Sequence, residues 1–250
     1  MPEDTQQTPP VEVKDVSKSF GNQKVLDGIS FQVGAAETFA VLGRSGTGKS
    51  VLLKLLIGLQ KPDSGSITIH GAEISKLGVE ELNKIRRHVG FLFQQAALYD
   101  SLSLEENVAF PLKRHLKLKQ NQLRDRVRGL LAQVGMDRDL NKMPSQISGG
   151  MQKRAGLARA LALDPDLLLC DEPTAGLDPI TASEIVDLIL KLKEERHVAS
   201  IVVTHDIHAA KLFSDRLMVL DKGRILLEGT FAELQESKNE FVSRFLKEAA

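Results

Sequence analysis

Alternating apolar and polar residues characterise the first patterned part of the chain. The stretch VEVKDVSKSF (Val11–Phe20) has the period of two that is typical of a half-exposed β-strand. Two strand-like pieces follow in ISFQVGAAETFAVLG, and another pair flanks a turn in GSITIHGAEI. The apolar run TFAVLG (Thr38–Gly43) leads into a glycine-rich loop and then into the apolar helix SVLLKLLIGL. This part of the chain is therefore predicted to be rich in strands.

The pattern changes near residue 100. From about residue 102 to residue 163 it predicts helices with charged faces, interrupted at Pro111, Gly135 and Pro144. Strands return in DLLLCD, ASIVVTHD and DRLMVLDKGRILLEGT, and the last of these predicts a hairpin that turns at Lys222–Gly223. The stretch TASEIVDLILKLKEERH predicts a helix, with apolar residues at helical spacing (Ile185, Leu188, Ile189 and Leu192).

This order of elements predicts an α/β nucleotide-binding core. A helical insertion is expected at about residues 95–163, within a main domain that covers residues 11–232. The residues before that domain, 1–10, are polar and are predicted to form a disordered tail.

A C-terminal helix is predicted over residues 233–250. The final helical segment starts at TFAE, where Thr230 and Glu233 have the spacing of a capping box. One side of this helix is apolar and contains Phe241, Phe245 and Leu246. This side could pack on the core of its own chain or brace a dimer.

Composition narrows the class of protein. The 250 residues, 42% hydrophobic and 26% charged, fit one large domain or two closely associated subdomains. Lys+Arg and Asp+Glu are both 33, so no overall basic excess favours a nucleic acid as partner. The single cysteine, Cys170, lies in the apolar run LLLC, which favours a buried thiol and suits a reducing compartment.

The sequence pattern predicts neither a signal peptide nor a membrane-spanning run. The N-terminal MPEDTQQTPP is polar and acidic, and no apolar run approaches the roughly 18 residues that span a bilayer. We therefore expect a cytoplasmic protein, which acts at a membrane only through a partner.

The stretch GRSGTGKS (Gly43–Ser50) has the pattern G-x-x-x-x-G-K-[ST] between a predicted strand and a predicted helix. Its glycines let successive N–H groups turn towards phosphate oxygens. Lys49 supplies a charge for the β- and γ-phosphates, and the Ser50 hydroxyl is placed for Mg²⁺. The alternative is a glycine-rich turn before a core helix. The residues predicted to bind the nucleotide here are Gly43, Arg44, Ser45, Gly46, Thr47, Gly48, Lys49, Ser50 and Val51.

Two acidic residues follow the apolar strand in LLLCDEP. Asp171 should lie at the carboxyl edge of the sheet beside the phosphate loop, where it can hold Mg²⁺ together with Ser50. Neighbouring residues at a strand end point in different directions, so Glu172 can serve as a general base that polarises the attacking water. The alternative is an exposed acidic turn.

His205 and Gln94 are the other predicted catalytic residues. His205 follows a third apolar strand in IVVTHD, so its imidazole can hydrogen-bond the γ-phosphate and hold the attacking water. Gln94, in FLFQQAAL, lies where the core meets the helical region and can contact Mg²⁺ or water. A structural role is the alternative for His205, and Gln95 is the alternative to Gln94.

The helix in ISGGMQKRAGLARAL begins at Ser148, Gly149 and Gly150, although glycines are poor helix formers. Ser148 as an N-cap is one explanation. An anion at the helix N-terminus is the other, since glycines let a phosphate approach free N–H groups.

Together these motifs resemble the ATP-binding-cassette (ABC) ATPase family over about residues 11–230. The phosphate loop, Gln94, SGG, CDEP, AGLD and His205 occur in the family's order. The resemblance implies a P-loop NTPase core with an antiparallel β subdomain and an inserted α-helical subdomain. It also implies an ATP hydrolase that uses ATP and Mg²⁺, with Ser50, Gln94 and Asp171 at the metal.

In this family two cassettes pair head to tail, so a homodimer is implied. Ser148, Gly149 and Gly150 resemble the family's signature and would contact the ATP held by the partner; Met151 stands where the signature has glutamine. AGLD resembles the D-loop, which implies that Asp178 crosses the interface. Phe20 lies where the family has an aromatic residue that stacks on adenine. The alternative for Phe20 is a core aromatic.

The resemblance further implies a transporter subunit whose permease is a separate integral-membrane protein. Members that act on DNA insert long coiled coils before the signature, and translation factors carry two cassettes; neither fits this chain. The stretches LFQQAALYDSLSLEENVAFPL, SGGMQKRAGLARAL and CDEPTAGLDPI resemble the ATPases of mammalian-cell-entry (MCE) type lipid transporters. Such an ATPase lies on the cytoplasmic face of the inner membrane and works with an MCE-domain lipid carrier. The alternative is an importer of amino acids or other small polar solutes.

Overall fold

The structure, a computed structural model, describes residues 9–247. The disordered tail predicted over residues 1–10 therefore lies outside the described residues, apart from Pro9 and Pro10. Within the described range the strands form two sheets, one antiparallel and one mainly parallel.

The smaller sheet is antiparallel and has the strand order β2–β1–β4–β5. Alternate residues of its first strand, such as Val11 and Val13, are buried, as the period of two predicts. The alternation shifts at Asp15, where φ is 48° and pairing with the next strand is irregular. The strands are β1 (Val11–Phe20), β2 (Gln23–Val33), β4 (Ser64–Ile69) and β5 (Ala72–Glu73).

The larger sheet has the strand order β10–β9–β3–β8–β7–β6. Its pairs are parallel except for the final hairpin, β9 with β10. The central strands are buried along their whole length, because both faces of the sheet are covered. The strands are β3 (Thr38–Leu42), β6 (Val89–Leu92), β7 (Leu167–Asp171), β8 (Ala199–Thr204), β9 (Arg216–Asp221) and β10 (Arg224–Gly229).

The sequence pattern predicted most helices and strands but missed some of them. Three elements were not predicted: α2 buries none of its residues, β6 has four residues and α7 has seven. Short or wholly exposed elements carry too little periodicity to be recognised. The helices are α1 (Lys49–Leu56), α2 (Val79–Arg86), α3 (Leu104–His115), α4 (Gln120–Gln133), α5 (Gly149–Ala160), α6 (Pro179–Arg196), α7 (Ile207–Phe213), α8 (Phe231–Gln235) and α9 (Glu240–Lys247).

The larger sheet separates two hydrophobic cores. Leu167 and Leu169 of β7 pack in the core that contains α1 and the smaller sheet. Leu168 and Cys170, which point to the opposite face, pack in the core that contains helices α3 to α7. Cys170 is fully buried, so the prediction of a buried thiol is confirmed.

The C-terminal segment differs from the single helix predicted over residues 233–250. The predicted capping box exists, because Thr230 N donates to Glu233 Oε2 at 2.8 Å and Glu233 N to Thr230 Oγ1 at 3.3 Å. It starts α8, which ends after Gln235; the polar run ESKN then interrupts the helix, and Asn239 caps α9. Of the two roles considered for this segment, the described residues show packing on the chain's own core, through Val242 and Leu246.

Candidate active site

The predicted site residues converge at the carboxyl ends of the parallel strands. The loop after β3 contains GRSGTGKS, β7 ends at Asp171, and His205 follows β8. Gln94 follows β6 by one intervening residue. In open parallel sheets this edge is where ligands bind, because the loops after adjacent strands meet there.

Backbone geometry explains three glycines of the phosphate loop. Gly46 and Gly48 have φ angles of +81° and +105°, a region that side-chain-bearing residues rarely adopt. A Cβ at Gly43 would lie 2.5 Å from the Leu220 carbonyl oxygen, so only glycine fits between the loop and β9. These constraints hold the loop curved, as binding of phosphate oxygens requires.

Other loop side chains support the loop from outside. The Thr47 hydroxyl donates to the Arg44 carbonyl at 2.9 Å, and Ser45 is exposed. The guanidinium of Arg44 lies over the ring of Phe241 in α9, 5.5 Å from the ring centroid. The last helix of the described chain therefore contacts the phosphate loop.

Lys49 is the buried cation of the loop. Its side chain is 6% exposed, and its ammonium donates to the carbonyls of Gly43 at 2.7 Å and Arg44 at 3.1 Å. The ammonium also lies 3.5 Å from Glu172 Oε1. These contacts place a positive charge at the mouth of the curved loop, where an anion fits.

Ser50 and Asp171 form the pair that the sequence predicts for Mg²⁺. The Ser50 hydroxyl donates to Asp171 Oδ1 at 3.0 Å. Burial raises the pKa of Asp171, while the Ser50 hydrogen bond acts in the opposite direction. A partly buried carboxylate, a hydroxyl and the nearby Gln94 amide supply hard oxygen ligands, which fit Mg²⁺. The part of the chain that the structure describes contains no cluster of three His, Cys, Asp or Glu residues suited to another metal.

Glu172 is held at its backbone and at its carboxylate. Its φ is +49°, and its amide donates to the Val203 carbonyl at 2.9 Å. Its Oε2 accepts a hydrogen bond from His205 N at 3.2 Å and lies 2.9 Å from His205 Nδ1. The side chain of Glu172 is buried whereas the imidazole is about half exposed. A buried carboxylate and a half-exposed imidazole therefore adjoin, as the predicted base and water-orienting residue require.

A cavity of about 280 Å³ lies over the phosphate loop. Gln94 lines it and Gln95 does not, so the geometry favours Gln94 over its neighbour. Val25, on β2, also lines the cavity and was not predicted, because an isolated valine in a strand reads as core. The other lining residues are Ser45, Gly46, Gly48, Lys49, Ser50, Val51, Glu172 and His205.

Ser148, Gly149 and Gly150 do not line this cavity. Ser148 and Gly149 are exposed at the start of α5, and the Ser148 hydroxyl accepts a hydrogen bond from Met151 N at 3.3 Å, as an N-cap does. A Cβ at Gly150 would lie 2.2 Å from Thr181 Cγ2 in α6, so packing requires glycine there. A Cβ at Gly149 would meet only an ordinary contact at 3.8 Å. Packing within the chain therefore explains Gly150 but not Gly149.

Asp178 and Phe20 also lie outside the cavity lining. Asp178 is exposed and caps α6, accepting from the Thr181 hydroxyl at 2.6 Å and from the Thr181 amide at 3.0 Å. These hydrogen bonds from Thr181 lower the pKa of Asp178. Phe20 is 45% exposed, with Lys18 Nζ 5.6 Å from its ring centroid, so the alternative of a core aromatic does not hold.

Lys153 is a further residue at the site that the sequence analysis did not identify. It is 4% exposed, and its ammonium donates to the Glu172 carbonyl at 2.9 Å. A lysine in the charged helical stretch QKRAG reads as a solvent-facing residue. The one available signal is its position on the buried side of α5, three residues after Gly150 and three before Gly156.

Comparison with known proteins matches the description "ABC transporter" over residues 26–175. One relative is the probable ribonucleotide transport ATP-binding protein mkl of Mycobacterium leprae, 42% identical over 94% of this chain and 68% of the relative. The chain thus spans about two thirds of the length of the mycobacterial relatives.

Two further relatives differ in their named cargo. The intermembrane phospholipid transport system ATP-binding protein MlaF of Haemophilus influenzae is 40% identical over 95% of this chain and 90% of the relative. The methionine import ATP-binding protein MetN of Caulobacter vibrioides is 40% identical over 94% and 72%, respectively.

A solved structure has the same fold. The ATP-binding cassette MJ0796, in a dimeric post-hydrolysis state bound to ADP and Pi, superposes with a TM-score of 0.82 at 36% identity, over 88% of this chain and 98% of that one. Among the described residues no helix is long and apolar enough to cross a bilayer. The chain belongs to the ABC transporter family, as an ATP-hydrolysing subunit that uses ATP with Mg²⁺.

Proposed function

We propose that this ATPase powers lipid or phospholipid transport through a separate permease that works with an MCE-type carrier. The observation that carries the proposal is the 40% identity to the phospholipid-transport ATPase MlaF, which extends over 90% of that relative. The proposed location follows from it: the chain sits peripherally on the cytoplasmic face of the inner membrane, beneath the permease.

The phosphate loop, residues 43–51, binds the triphosphate. Phosphate oxygens replace the loop carbonyls and Glu172 as partners of the Lys49 ammonium, which is already at the mouth of the loop. Ser50, Asp171 and Gln94 would hold Mg²⁺, which would supply positive charge to neutralise the phosphate oxygens. Phe20, exposed on β1, stacks on the adenine.

Glu172 and His205 carry the hydrolytic step. The Glu172 carboxylate takes a proton from water while the water oxygen bonds to the γ-phosphorus, and the bond to the β,γ-bridging oxygen breaks to release ADP and phosphate. His205, hydrogen-bonded to Glu172, orients the water and contacts the γ-phosphate. Burial of Glu172 keeps its carboxylate away from competing bulk water.

The working unit is a homodimer with a head-to-tail arrangement. Ser148 and Gly149 are exposed, and Gly149 has no packing reason to be glycine within the chain. Both features support a phosphate approaching this helix N-terminus from the partner's loop, with the buried Gly150 completing the set of backbone donors. Asp178 lies exposed on the D-loop, where it crosses the interface while it caps α6.

A groove beside the site provides the surface for the permease. It has a volume of about 440 Å³ and contains the exposed rings of Phe93, Tyr99 and Phe110. Its floor includes the segment after Gln94, which Arg159 fixes by donating to the Ala97 carbonyl at 2.7 Å. A permease helix seated there is coupled to Gln94 and hence to the γ-phosphate.

The domain organisation proposed from the sequence fits this division of labour. The ATPase domain covers residues 11–232, and its helical subdomain over about residues 95–163 contributes α3, α4 and α5. The segment predicted to follow the domain, residues 233–250, contains the end of α8 and, within the described residues, α9.

Import of amino acids or other small polar solutes is the second candidate function. It is favoured by the 40% identity to the methionine import ATPase MetN. The two candidates share the ATPase cycle and differ in the membrane partners.

The test is a pull-down of tagged Glu172→Gln protein from its native membranes in ATP and Mg²⁺. Loss of the carboxylate base should leave ATP bound and trap the closed dimer on its permease, so co-purifying proteins and lipids can be identified by mass spectrometry. Tagged Lys49→Ala protein, which lacks the phosphate-binding charge, is the matched control. A permease with an MCE-domain protein and phospholipid is expected.

Other outcomes of the pull-down discriminate between the candidates. A permease with a solute-binding protein and no MCE component would replace the lipid proposal by solute import. Recovery of no membrane protein, with ATP binding intact, would contradict both transport proposals.

A further inference from the structure

Lys153 is a buried cation whose contact is a backbone carbonyl. Lysine side chains are almost never fully buried unless they are paired. Lys153 is 4% exposed, and its Nζ donates to the Glu172 carbonyl oxygen at 2.9 Å. Among the described residues no carboxylate oxygen lies within 4.0 Å of this ammonium. The charge is therefore directed at one peptide group.

The peptide that Lys153 contacts has an unusual conformation. Glu172 has φ of +49°, in the left-handed region that residues other than glycine rarely adopt. Its amide side is fixed by β8, since Glu172 N donates to the Val203 carbonyl at 2.9 Å. Its carbonyl side accepts from Lys153 Nζ and, at 3.2 Å, from Ala175 N. Hydrogen bonds therefore hold both peptide groups that flank the Glu172 Cα, and Lys153 contacts the carbonyl of the second one.

The left-handed backbone determines where the carboxylate points. In an extended strand, consecutive residues such as Asp171 and Glu172 point to opposite faces. Here both carboxylates face consecutive residues of α1: Asp171 accepts from Ser50, and Glu172 Oε1 lies 3.5 Å from Lys49. The turn at residue 172 brings the second carboxylate to the phosphate loop.

We propose that Lys153 is a positioning residue for ATP hydrolysis, which holds the Glu172 peptide in its left-handed conformation and so aims the carboxylate at the attacking water. The proposal rests on the role of Glu172 as base in the proposed function. Lys153 lies on α5, whose N-terminal Ser148 and Gly149 are proposed to meet the partner's ATP. The ammonium thus links the signature helix of one protomer to its own catalytic carboxylate.

The buried Lys153 ammonium lies near other ionisable groups. Burial lowers the pKa of Lys153, and the nearby Asp171 and Glu172 carboxylates act in the opposite direction. A charged donor makes a stronger hydrogen bond to a carbonyl than a neutral one does.

The experiment compares Lys153→Met with Lys153→Gln by steady-state ATPase kinetics and equilibrium ATP binding. Methionine keeps the volume and removes the donor; we expect kcat to fall about 10- to 100-fold, the scale of a small misplacement of a reacting group. KM and the Kd for ATP should change less than about twofold, because the phosphate loop is intact. Glutamine keeps an N–H donor and should recover several-fold of the lost kcat.

Arg154→Met is the matched control. It removes the same charge from the adjacent position of α5, where the guanidinium pairs with Glu184 on α6. Its kcat should match that of the unmodified chain. Thermal unfolding of every variant separates a positioning role from a loss of folding.

Glu172→Gln measured in parallel separates the two proposals. If Glu172→Gln hydrolyses ATP normally, the proposed base is wrong and the proposal for Lys153 falls with it. If Glu172→Gln is inactive but Lys153→Met keeps its kcat, only the role of Lys153 is overturned. The role of Lys153 would also be overturned if Lys153→Met and Lys153→Gln showed the same losses as each other in kcat, in ATP affinity and in melting temperature. Such a result would show that Lys153 only supports the fold.

Discussion

At the scale of single residues, Lys49 and Glu172 restrain each other through a direct contact. The ammonium bridges two loop carbonyls and lies 3.5 Å from the carboxylate, which His205 also contacts. In the proposed function, triphosphate binding would withdraw Lys49 from these partners and free one carboxylate oxygen of Glu172. Substrate binding and activation of the proposed base would therefore be coupled through one lysine.

Cys170, in the core, predicts how the free energy of unfolding depends on pH. Complete burial raises the pKa of this thiol from 9.0 to about 12. Between these values the unfolded chain loses the proton while the folded chain keeps it. The free energy of unfolding should therefore fall as pH rises above about 9, by up to about 1.4 kcal/mol per pH unit.

Urea unfolding at pH 8, 9 and 10 checks this prediction, with Cys170→Ala as the comparison. The alanine variant should be less stable at pH 8, because it leaves a small cavity, but its alkaline slope should be shallower. Equal slopes in the two proteins would show that Cys170 does not cause the alkaline loss.

At the scale of elements, the start of α5 combines packing and ligand requirements on adjacent glycines. Gly150→Ala should lower the free energy of unfolding by about 1–3 kcal/mol, because its Cβ would lie 2.2 Å from Thr181 Cγ2. Gly149→Ala should fold normally, since its Cβ meets only an ordinary contact at 3.8 Å, and should lose ATP hydrolysis. Denaturant unfolding and ATPase rates measure the two effects.

A second substitution in α6 tests the stated cause. Thr181→Ser removes the clashing methyl group and keeps the hydroxyl that donates to Asp178 at 2.6 Å. Adding Thr181→Ser to Gly150→Ala should restore most of the lost stability. A double variant as unstable as Gly150→Ala alone would show that the contact with α6 does not explain the glycine.

How far the sequence predicted the structure depended on the element. The alternating pattern predicted β1, and the helical spacing of apolar residues predicted the long α6. The exposed α2 and the short β6 and α7 were not predicted. The polar run ESKN divides the predicted C-terminal helix, because no apolar residue there binds it to the core. Local pattern predicts an element only where packing imposes a period on it.

The candidate site was predictable where a motif sits at a strand end. The loop, Asp171, Glu172 and His205 converge because parallel strands share an edge. The burial of Lys153 and the left-handed backbone of Glu172 were not predictable, since neither the hydrogen bond from α5 to the residue after β7 nor a single positive φ leaves a periodic pattern in the sequence.

At the scale of the whole molecule, we propose that the chain carries two separate halves of a nucleotide site. One half is the cavity over the phosphate loop, and the other is the exposed start of α5. In the proposed homodimer, a second copy would bring the two halves together. We therefore expect Glu172→Gln protein to form dimers, of twice the 27.5 kDa chain mass, in ATP and Mg²⁺ and to revert without nucleotide.

Light scattering coupled to size exclusion measures that mass. Adding Lys49→Ala to Glu172→Gln removes the phosphate-binding charge and should keep the protein monomeric. Dimers that persist without nucleotide, or in the doubly substituted protein, would contradict an interface built around ATP.

The contact between Arg44 and Phe241 has an optical consequence. The chain contains no tryptophan, so the substitution Phe241→Trp would introduce its only indole fluorophore. It would lie against a guanidinium of the phosphate loop, about 5.5 Å from its charge. Any rearrangement of the loop would change the polarity around the indole, and its emission would follow nucleotide occupancy in real time without a label on the ligand.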